Sequence, residues 1–164
     1  KAGGWRYDIT GLGMKCNLAD VNASIGLAQI RQYPKLLSER KRVFSLYSRL
    51  LGEYDWAILP PSMQGEKESS YHLFALRIKG ISEEQRDRMI EEMAKREIAV
   101  NVHFIPMPML SFFKGLGYKI GDYPNAHQLY TQEISLPIYP QLTNEQVSYI
   151  VRSLDEAYNT VCTE

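Results

Sequence analysis

The sequence has few of the residues that build metal centres or disulfide frameworks. Its 164 residues include two cysteines, Cys16 and Cys162, and three histidines. The cysteines lie near opposite ends of the chain, and no His/Cys cluster has metal-site spacing. We therefore expect reduced thiols and no bound metal.

Long apolar runs and an excess of charge are also missing. No apolar stretch approaches the roughly 20 residues that cross a bilayer, and the opening Lys-Ala-Gly-Gly-Trp does not resemble a signal peptide. Lys plus Arg equals Asp plus Glu, at 19 each, so the bulk charge does not indicate nucleic-acid or anionic-membrane binding. With 45% hydrophobic and 23% charged residues, we expect one folded, soluble, cytoplasmic domain.

The patterning of the first half predicts a long helix followed by a buried strand. Apolar residues recur at steps of three and four over about residues 19–51, as in an amphipathic helix. Pro34 lies inside this stretch and predicts a kink or a break, because it removes a backbone donor. Residues 71–78 carry apolar side chains on both alternating sets, which predicts a strand covered on two faces.

Start and stop signals divide the second half into shorter elements. Two capping boxes, in which serine or threonine precedes glutamine by three residues, predict helix starts at Ser82 and Thr143. Pro124 predicts a further helix to about Gln132, and a short one is expected at 110–116. Short strands are expected at 98–102 and 135–137. Because strands alternate with helices, the sequence predicts an α/β (α+β layered) domain.

Three candidate sites come from the residues alone. His103 follows an apparent strand end, where α/β proteins place their sites, and His72 beside Tyr71 is a second pocket candidate. The Gly11-Leu12-Gly13 turn, with Lys15 and Asn17 before a helix, is either an anion site or an ordinary glycine turn. Both interpretations stay open at this point.

Five segments in order resemble one enzyme family over nearly the whole chain. They are 7–20 (YDITGLGMKCNLAD), 70–74 (SYHLF), 103–106 (HFIP), 116–126 (LGYKIGDYPNA) and 135–143 (SLPIYPQLT). Together they resemble the DegT/DnrJ/StrS-type pyridoxal-phosphate-dependent sugar aminotransferases. The resemblance implies an aspartate-aminotransferase-like fold (fold type I), of which this chain is the C-terminal small domain preceded by a long helix.

The resemblance also implies a division of the chain and of the chemistry. Residues 1–18 would be an interdomain and cofactor-loop segment, and residues 19–164 the small domain, with the N-terminal cofactor-binding large domain absent. The lysine that anchors pyridoxal 5′-phosphate would lie upstream, so no catalytic residue is expected here and the fragment alone would be inactive.

The implied reaction moves an amino group, usually from glutamate, to a nucleotide-linked keto sugar in polysaccharide or glycoconjugate synthesis. The implied full-length protein is a homodimer. The residues of this chain that bind the cofactor would be Lys15 and Asn17. The residues that bind the substrate would be Tyr71, His72, His103 and Phe104. Two alternatives remain: a pyridoxal-phosphate sugar dehydratase of the same fold, with histidine in place of the upstream lysine, and a stand-alone sugar-nucleotide-binding module.

Overall fold

A computed structural model describes residues 10–14 and 16–163 of the chain. The helices in this part are α1 (Asp20–Leu51), α2 (Glu83–Lys95), α3 (Ser111–Gly115), α4 (Pro124–Gln132) and α5 (Asn144–Cys162). The strands are β1 (Ala57–Ile58), β2 (Met63–Gln64), β3 (Lys67–Glu68), β4 (Phe74–Ile78) and β5 (Glu133–Leu136). The mixture of helix and sheet confirms the predicted fold class.

The chain divides into two compact units, Lys1–Pro34 and Lys35–Glu164. In the first unit, every large apolar side chain among the described residues is exposed, namely Leu12, Met14, Leu18, Val21, Ile25, Leu27, Ile30 and Tyr33. The predicted boundary between residues 18 and 19 separates the cofactor-loop segment from the small domain by function and not by compactness. That boundary stays a prediction.

The long predicted helix is confirmed as α1. Of the kink or break predicted at Pro34, the break is wrong and the kink stays a prediction. The helix runs through Pro34 without interruption, since one missing backbone donor removes one hydrogen bond while the turns on both sides keep theirs. In the second unit, Val43, Phe44, Tyr47 and Leu51 of α1 enter the core.

The second unit is built on a three-stranded antiparallel sheet in the order β1-β4-β5. On one face, Phe74, Leu76 and Ile78 of β4 are buried, next to Ile134 and Leu136 of β5. The rings of Phe44 and Tyr47 pack on Phe74, with centroids 4.8 and 5.0 Å away. Burial of these side chains is the main driving force for folding of this unit.

Helices α2 and α5 pack against each other and add Met89, Met93, Val147, Val151 and Leu154 to the core. Both begin at the predicted capping boxes, at Ser82 and Thr143. Each box satisfies donors at the helix start that otherwise lack partners. The predicted helix from Pro124 to Gln132 is confirmed as α4.

Three strand predictions need correction. The strand expected at 135–137 lies at Glu133–Leu136. The strand expected at 98–102 is only an isolated bridge, in which Asn101 pairs with Ser135, because Ile98 and its neighbours follow the turn that ends α2 without forming a ladder. The strand expected at 71–78 begins at Phe74. Tyr71 has a φ of 53°, outside the extended region that a strand requires.

No helix in the described parts of the chain has the length and apolar character needed to cross a membrane.

Candidate functional site

The second face of the sheet carries the polar side chains of the candidate site. Glu133 and Ser135 alternate with buried apolar residues in β5, so they share this face. They pair with Arg77 and Ala75 of β4. Ala75 and Arg77 are half-buried, so β4 is fully covered on only one face. Its other face borders a cavity.

This strand cavity has a volume of about 460 Å³. Its lining includes Ala75, Arg77 and Glu133 from the sheet, and His103 and Phe104 from the segment after the Asn101 bridge. Leu129 and Tyr130 of α4 close another side. The walls are mostly apolar with a few convergent polar groups, as is typical of a small-molecule site.

Glu133 positions His103 in two ways, directly and through the hydroxyl of Ser135. The backbone N–H of His103 donates to Glu133 Oε2 at 2.8 Å. The Ser135 hydroxyl donates to Glu133 Oε1, and Ser135 Oγ lies 2.8 Å from His103 Nδ1. Glu133 and Ser135 are 6% and 4% exposed, so these bonds are shielded from competing water and are stronger than surface bonds.

The backbone fixes the same arrangement. Ser135 N–H donates to Asn101 O at 2.7 Å, and Asn101 N–H donates to Ser135 O at 3.2 Å. This bridge fastens the segment that carries His103 to β5 two residues before the histidine. His103 is therefore positioned by both main-chain and side-chain bonds.

Arg86 of α2 supports the start of β5 from inside the protein. It is 1% exposed, and its Nη1 donates to Tyr130 O at 2.6 Å and to Glu133 O at 3.3 Å. The guanidinium lies 4.8 Å from the centroid of the Tyr130 ring, within cation–π range. Burial is the main cause that raises the pKa of Tyr130. Arg86 thus ties α2 to the α4–β5 junction from which Glu133 reaches the site.

A second cavity brings the two predicted histidines together. This histidine cavity, of about 300 Å³, is lined by His72, His103, Asn101 and Ser135 among others. Arg40 Nη1 of α1 lies 3.1 Å from His72 Nδ1. The sequence predicts His72 and His103 as two separate pocket candidates. In the structure both line this one cavity, and their substrate roles stay predictions.

Tyr71 and Phe104 differ from each other in exposure. Tyr71 is 2% exposed and donates its hydroxyl to Glu68 Oε1 at 2.7 Å, and that bond, followed by burial, raises its pKa. Tyr71 lines neither the strand cavity nor the histidine cavity. Phe104 is 73% exposed, and its ring centroid lies 4.6 Å from that of His103. A cis peptide joins His103 and Phe104. Their substrate roles stay predictions.

The predicted cofactor-binding residues are described only in part, because Lys15 lies outside the described residues. Asn17 is exposed and makes no hydrogen bond within the described part of the chain, so its amide is available to a phosphate. A Cβ placed on Gly11 or Gly13 meets no atom within 4 Å. Both glycines thus border open space, so the described residues do not obstruct a phosphate here, and the cofactor role of Lys15 and Asn17 stays a prediction.

Among the described residues, no group of His, Cys, Asp and Glu has a metal-binding arrangement. Cys16 is exposed and Cys162 is half-buried, and both are free thiols.

Four residues that the sequence analysis did not select contribute to the site: Glu133, Ser135, Arg40 and Arg86. Glu133 and Ser135 did leave a signal, because acidic and hydroxyl side chains two positions apart in a buried strand point to one polar face. Arg40 and Arg86 lie on amphipathic helices among other charged residues, where the sequence offers nothing to separate them from solvated neighbours.

Comparison with known sequences identifies close relatives of the chain. The sequence profile of the DegT/DnrJ/EryC1/StrS aminotransferase family matches residues 1–155. An uncharacterized protein of Methanocaldococcus jannaschii is 34% identical over 154 residues, covering 93% of this chain and 40% of the relative. The dTDP-4-dehydro-2,3,6-trideoxy-D-glucose 4-aminotransferase of Saccharopolyspora spinosa is 22% identical over 153 residues, with 93% and 38% covered.

A solved structure shows the same fold. Spr1654 of Streptococcus pneumoniae, assigned as a sugar aminotransferase, is 37% identical in its PMP form, with a TM-score of 0.85, and covers 98% of this chain and 40% of its own. It is also known in PLP and apo forms. The PMP and PLP forms bear out the predicted cofactor, pyridoxal 5′-phosphate, for the full-length protein. The chain spans about 40% of the length of the relatives it matches.

Proposed function

The chain belongs to the DegT/DnrJ/EryC1/StrS aminotransferase family, and we propose that it is the C-terminal part of an enzyme that transfers an amino group to a nucleotide-linked keto sugar. The amino donor in this proposal is glutamate, and the product enters polysaccharide or glycoconjugate synthesis. The observation that carries the proposal is the family match over residues 1–155. The Saccharopolyspora spinosa relative, whose name states this reaction on a dTDP-linked sugar, supports it.

The site geometry supports a substrate-positioning role for this part of the enzyme. His103 is held at the boundary of two cavities by the buried Glu133 and Ser135. Rigid positioning of this kind lowers the entropic cost of orienting a substrate. In our proposal His103 contacts the sugar, and Phe104, exposed beside it, covers an apolar face of the substrate.

In this proposal the lysine that anchors the cofactor lies in a part of the enzyme outside the present chain, while two residues of this chain contact the cofactor. When bound, pyridoxal phosphate supplies the electron sink for amino transfer. From this chain, Asn17 and Lys15 would contact its phosphate, Asn17 through an amide donor and Lys15 as a point charge. The anchoring lysine would lie upstream of Lys1, so we propose that the present chain alone has no activity.

We further propose that the full-length enzyme is a homodimer. The support is the row of exposed apolar side chains in the first unit, which includes Leu18, Val21 and Ile25. Exposed apolar side chains that recur along one segment are typical of a surface that another protein surface covers. Sedimentation of the full-length protein at several concentrations tests this, and a monomer throughout would contradict it.

The activity is tested on the full-length gene product loaded with pyridoxal phosphate. Incubation with glutamate and a dTDP-linked 4-keto sugar should yield a dTDP-linked amino sugar and 2-oxoglutarate, detected by mass spectrometry. A product that has lost an oxygen instead of gaining nitrogen would identify the dehydratase. Tight sugar-nucleotide binding by the 164-residue chain alone, without any turnover by the longer product, would favour the binding module.

A further inference from the structure

The hydrogen bonds around His103 select which of its nitrogens carries the proton. With Glu133 as the carboxylate, Glu133 has only acceptors, so the one proton of the Ser135 hydroxyl goes to Glu133 Oε1. Ser135 Oγ is then left with lone pairs for His103 Nδ1, 2.8 Å away. Nδ1 must therefore carry a proton, and in a neutral ring Nε2 is a bare acceptor.

The bond around His72 selects the opposite form. A guanidinium has five N–H donors and no acceptor, so Arg40 Nη1 can bond to His72 Nδ1, 3.1 Å away, only if that nitrogen is bare. A neutral His72 therefore carries its proton on Nε2 and is a donor there.

Neither Nε2 has a hydrogen-bond partner within the described part of the chain. His72 and His103 both line the histidine cavity, together with Asn101 and Ser135. All of these residues belong to the second unit. The cavity is thus bordered by two imidazoles. Nδ1 of His103 is bonded to an acceptor, Ser135 Oγ, and Nδ1 of His72 is bonded to a donor, Arg40 Nη1.

We propose that the histidine cavity is a specificity site for sugar hydroxyl groups, with His72 Nε2–H as the donor and His103 Nε2 as the acceptor. This deepens the proposed function and rests on it. A hydroxyl, or a pair of neighbouring hydroxyls, donates one hydrogen bond and accepts another, and so satisfies both rings. A phosphate only accepts, and would leave His103 Nε2 facing an acceptor without a proton between them.

Glu133, Ser135 and Arg40 are positioning residues in this arrangement. Their proposed role is to determine which ring nitrogen carries the proton. A site that binds a substrate hydroxyl through such fixed partners discriminates against analogues that lack it, because the two ring nitrogens are then left without a partner in the occupied cavity.

The proton positions are measured directly by ¹⁵N NMR. The full-length protein is labelled in histidine and studied at about pH 8, where an ordinary histidine is neutral. His72→Gln and His103→Gln variants assign the signals. The proposal requires the proton on Nδ1 in His103 and on Nε2 in His72, and one tautomer shared by both rings would overturn it.

A Glu133→Gln substitution should reverse His103 alone. To keep its bond to the His103 backbone N–H, the new amide must present its oxygen there and its NH₂ to Ser135. The serine proton then turns to His103 Nδ1, and Nε2 becomes a donor. A His103 that keeps its Nδ1 proton in this variant would contradict the mechanism.

The substrate preference is tested with two probes, a dTDP-linked 4-keto-6-deoxyhexose and its 2,3-dideoxy counterpart. Their dissociation constants are measured by calorimetry in the full-length protein without amino donor. Glu133→Gln should reduce the preference for the hydroxylated probe about tenfold, as expected for one lost hydrogen bond. The matched control is Glu91→Gln, an exposed position in α2, which should leave the preference unchanged.

The outcomes separate the two proposals. Opposite tautomers with an unchanged preference would refute the specificity role while leaving the proposed reaction intact. Opposite tautomers and the shifted preference, in a protein that forms no amino sugar, would refute the proposed reaction instead.

Discussion

Replacement of Arg86 by methionine should destabilise the chain strongly, although Arg86 lies on a helix rich in charged residues. The side chain is 1% exposed. Its Nη1 donates to two carbonyls, Tyr130 O at 2.6 Å and Glu133 O at 3.3 Å. Methionine fills similar space but offers no donor, so both carbonyls lose a charged partner.

The magnitude follows from these contacts. A hydrogen bond to a charged group contributes roughly 1.5–3 kcal/mol, and a buried acceptor left unpaired costs about 1–3 kcal/mol. The ion pair with Asp87 adds little, because the Asp87 side chain is 58% exposed. Apolar contacts of the methionine offset part of the loss. We therefore expect Arg86→Met to lower the free energy of unfolding by about 3 kcal/mol.

Urea denaturation of the 164-residue chain, followed by circular dichroism, measures this change. With an m-value of about 2 kcal/mol/M, the midpoint should fall by about 1.5 M. Arg152→Met is the matched control, because Arg152 is exposed on α5 and its loss should change stability by less than about 0.5 kcal/mol. Equal midpoints for the two variants would refute the assigned role of Arg86.

Three further predictions concern single hydrogen bonds or charges. Thr143→Ala removes the side-chain cap of α5 and should lower the free energy of unfolding by about 1 kcal/mol. Thr143→Ser is the control, because serine keeps the capping hydroxyl. A loss of equal size in both variants would contradict the capping role. The hydrogen bond from Lys41, followed by that from Tyr71, holds the pKa of Glu68 below its ordinary value. The stability from this shift is therefore present above the unfolded-state pKa and is lost as the pH falls through the folded-state pKa. Tyr71→Phe should raise the pKa of Glu68 in an NMR titration, and an unchanged value would show that the bond is absent in solution. In the full-length protein, Lys15→Ala should weaken pyridoxal phosphate retention in equilibrium dialysis more than Lys15→Arg does, with the thermal midpoint unchanged; equal retention would remove Lys15 from the site.

Local signals in the sequence predicted much of the fold. The capping boxes at Ser82 and Thr143 and the helix from Pro124 depend on residues a few positions apart, so pattern and element agree. The strand at 98–102 failed because a ladder needs a partner strand, and the sequence does not show that only Asn101 pairs with Ser135. The predicted break at Pro34 is wrong for a related reason. The hydrogen bonds of the helical turns on both sides of Pro34 stabilise the helix by more than the one lost bond costs.

The candidate site was predictable only where one residue carried its own signal. His103 was found from its position after an apolar run, and His72 from its place beside Tyr71. The partners that set their chemistry are distant in sequence: 30 residues separate His103 from Glu133, and 32 separate Arg40 from His72. No local pattern links such pairs, because the fold alone brings them together.

The most direct test of the central claim is the absorption spectrum of the full-length protein loaded with pyridoxal phosphate. Glutamate should convert the band of the aldehyde form of the cofactor into that of the amine form. A dTDP-linked 4-keto sugar should then restore the first band, with one amino sugar formed per site. A spectrum that does not respond to any amino donor, or an amine form that the keto sugar leaves unchanged, would contradict the assignment as a sugar aminotransferase.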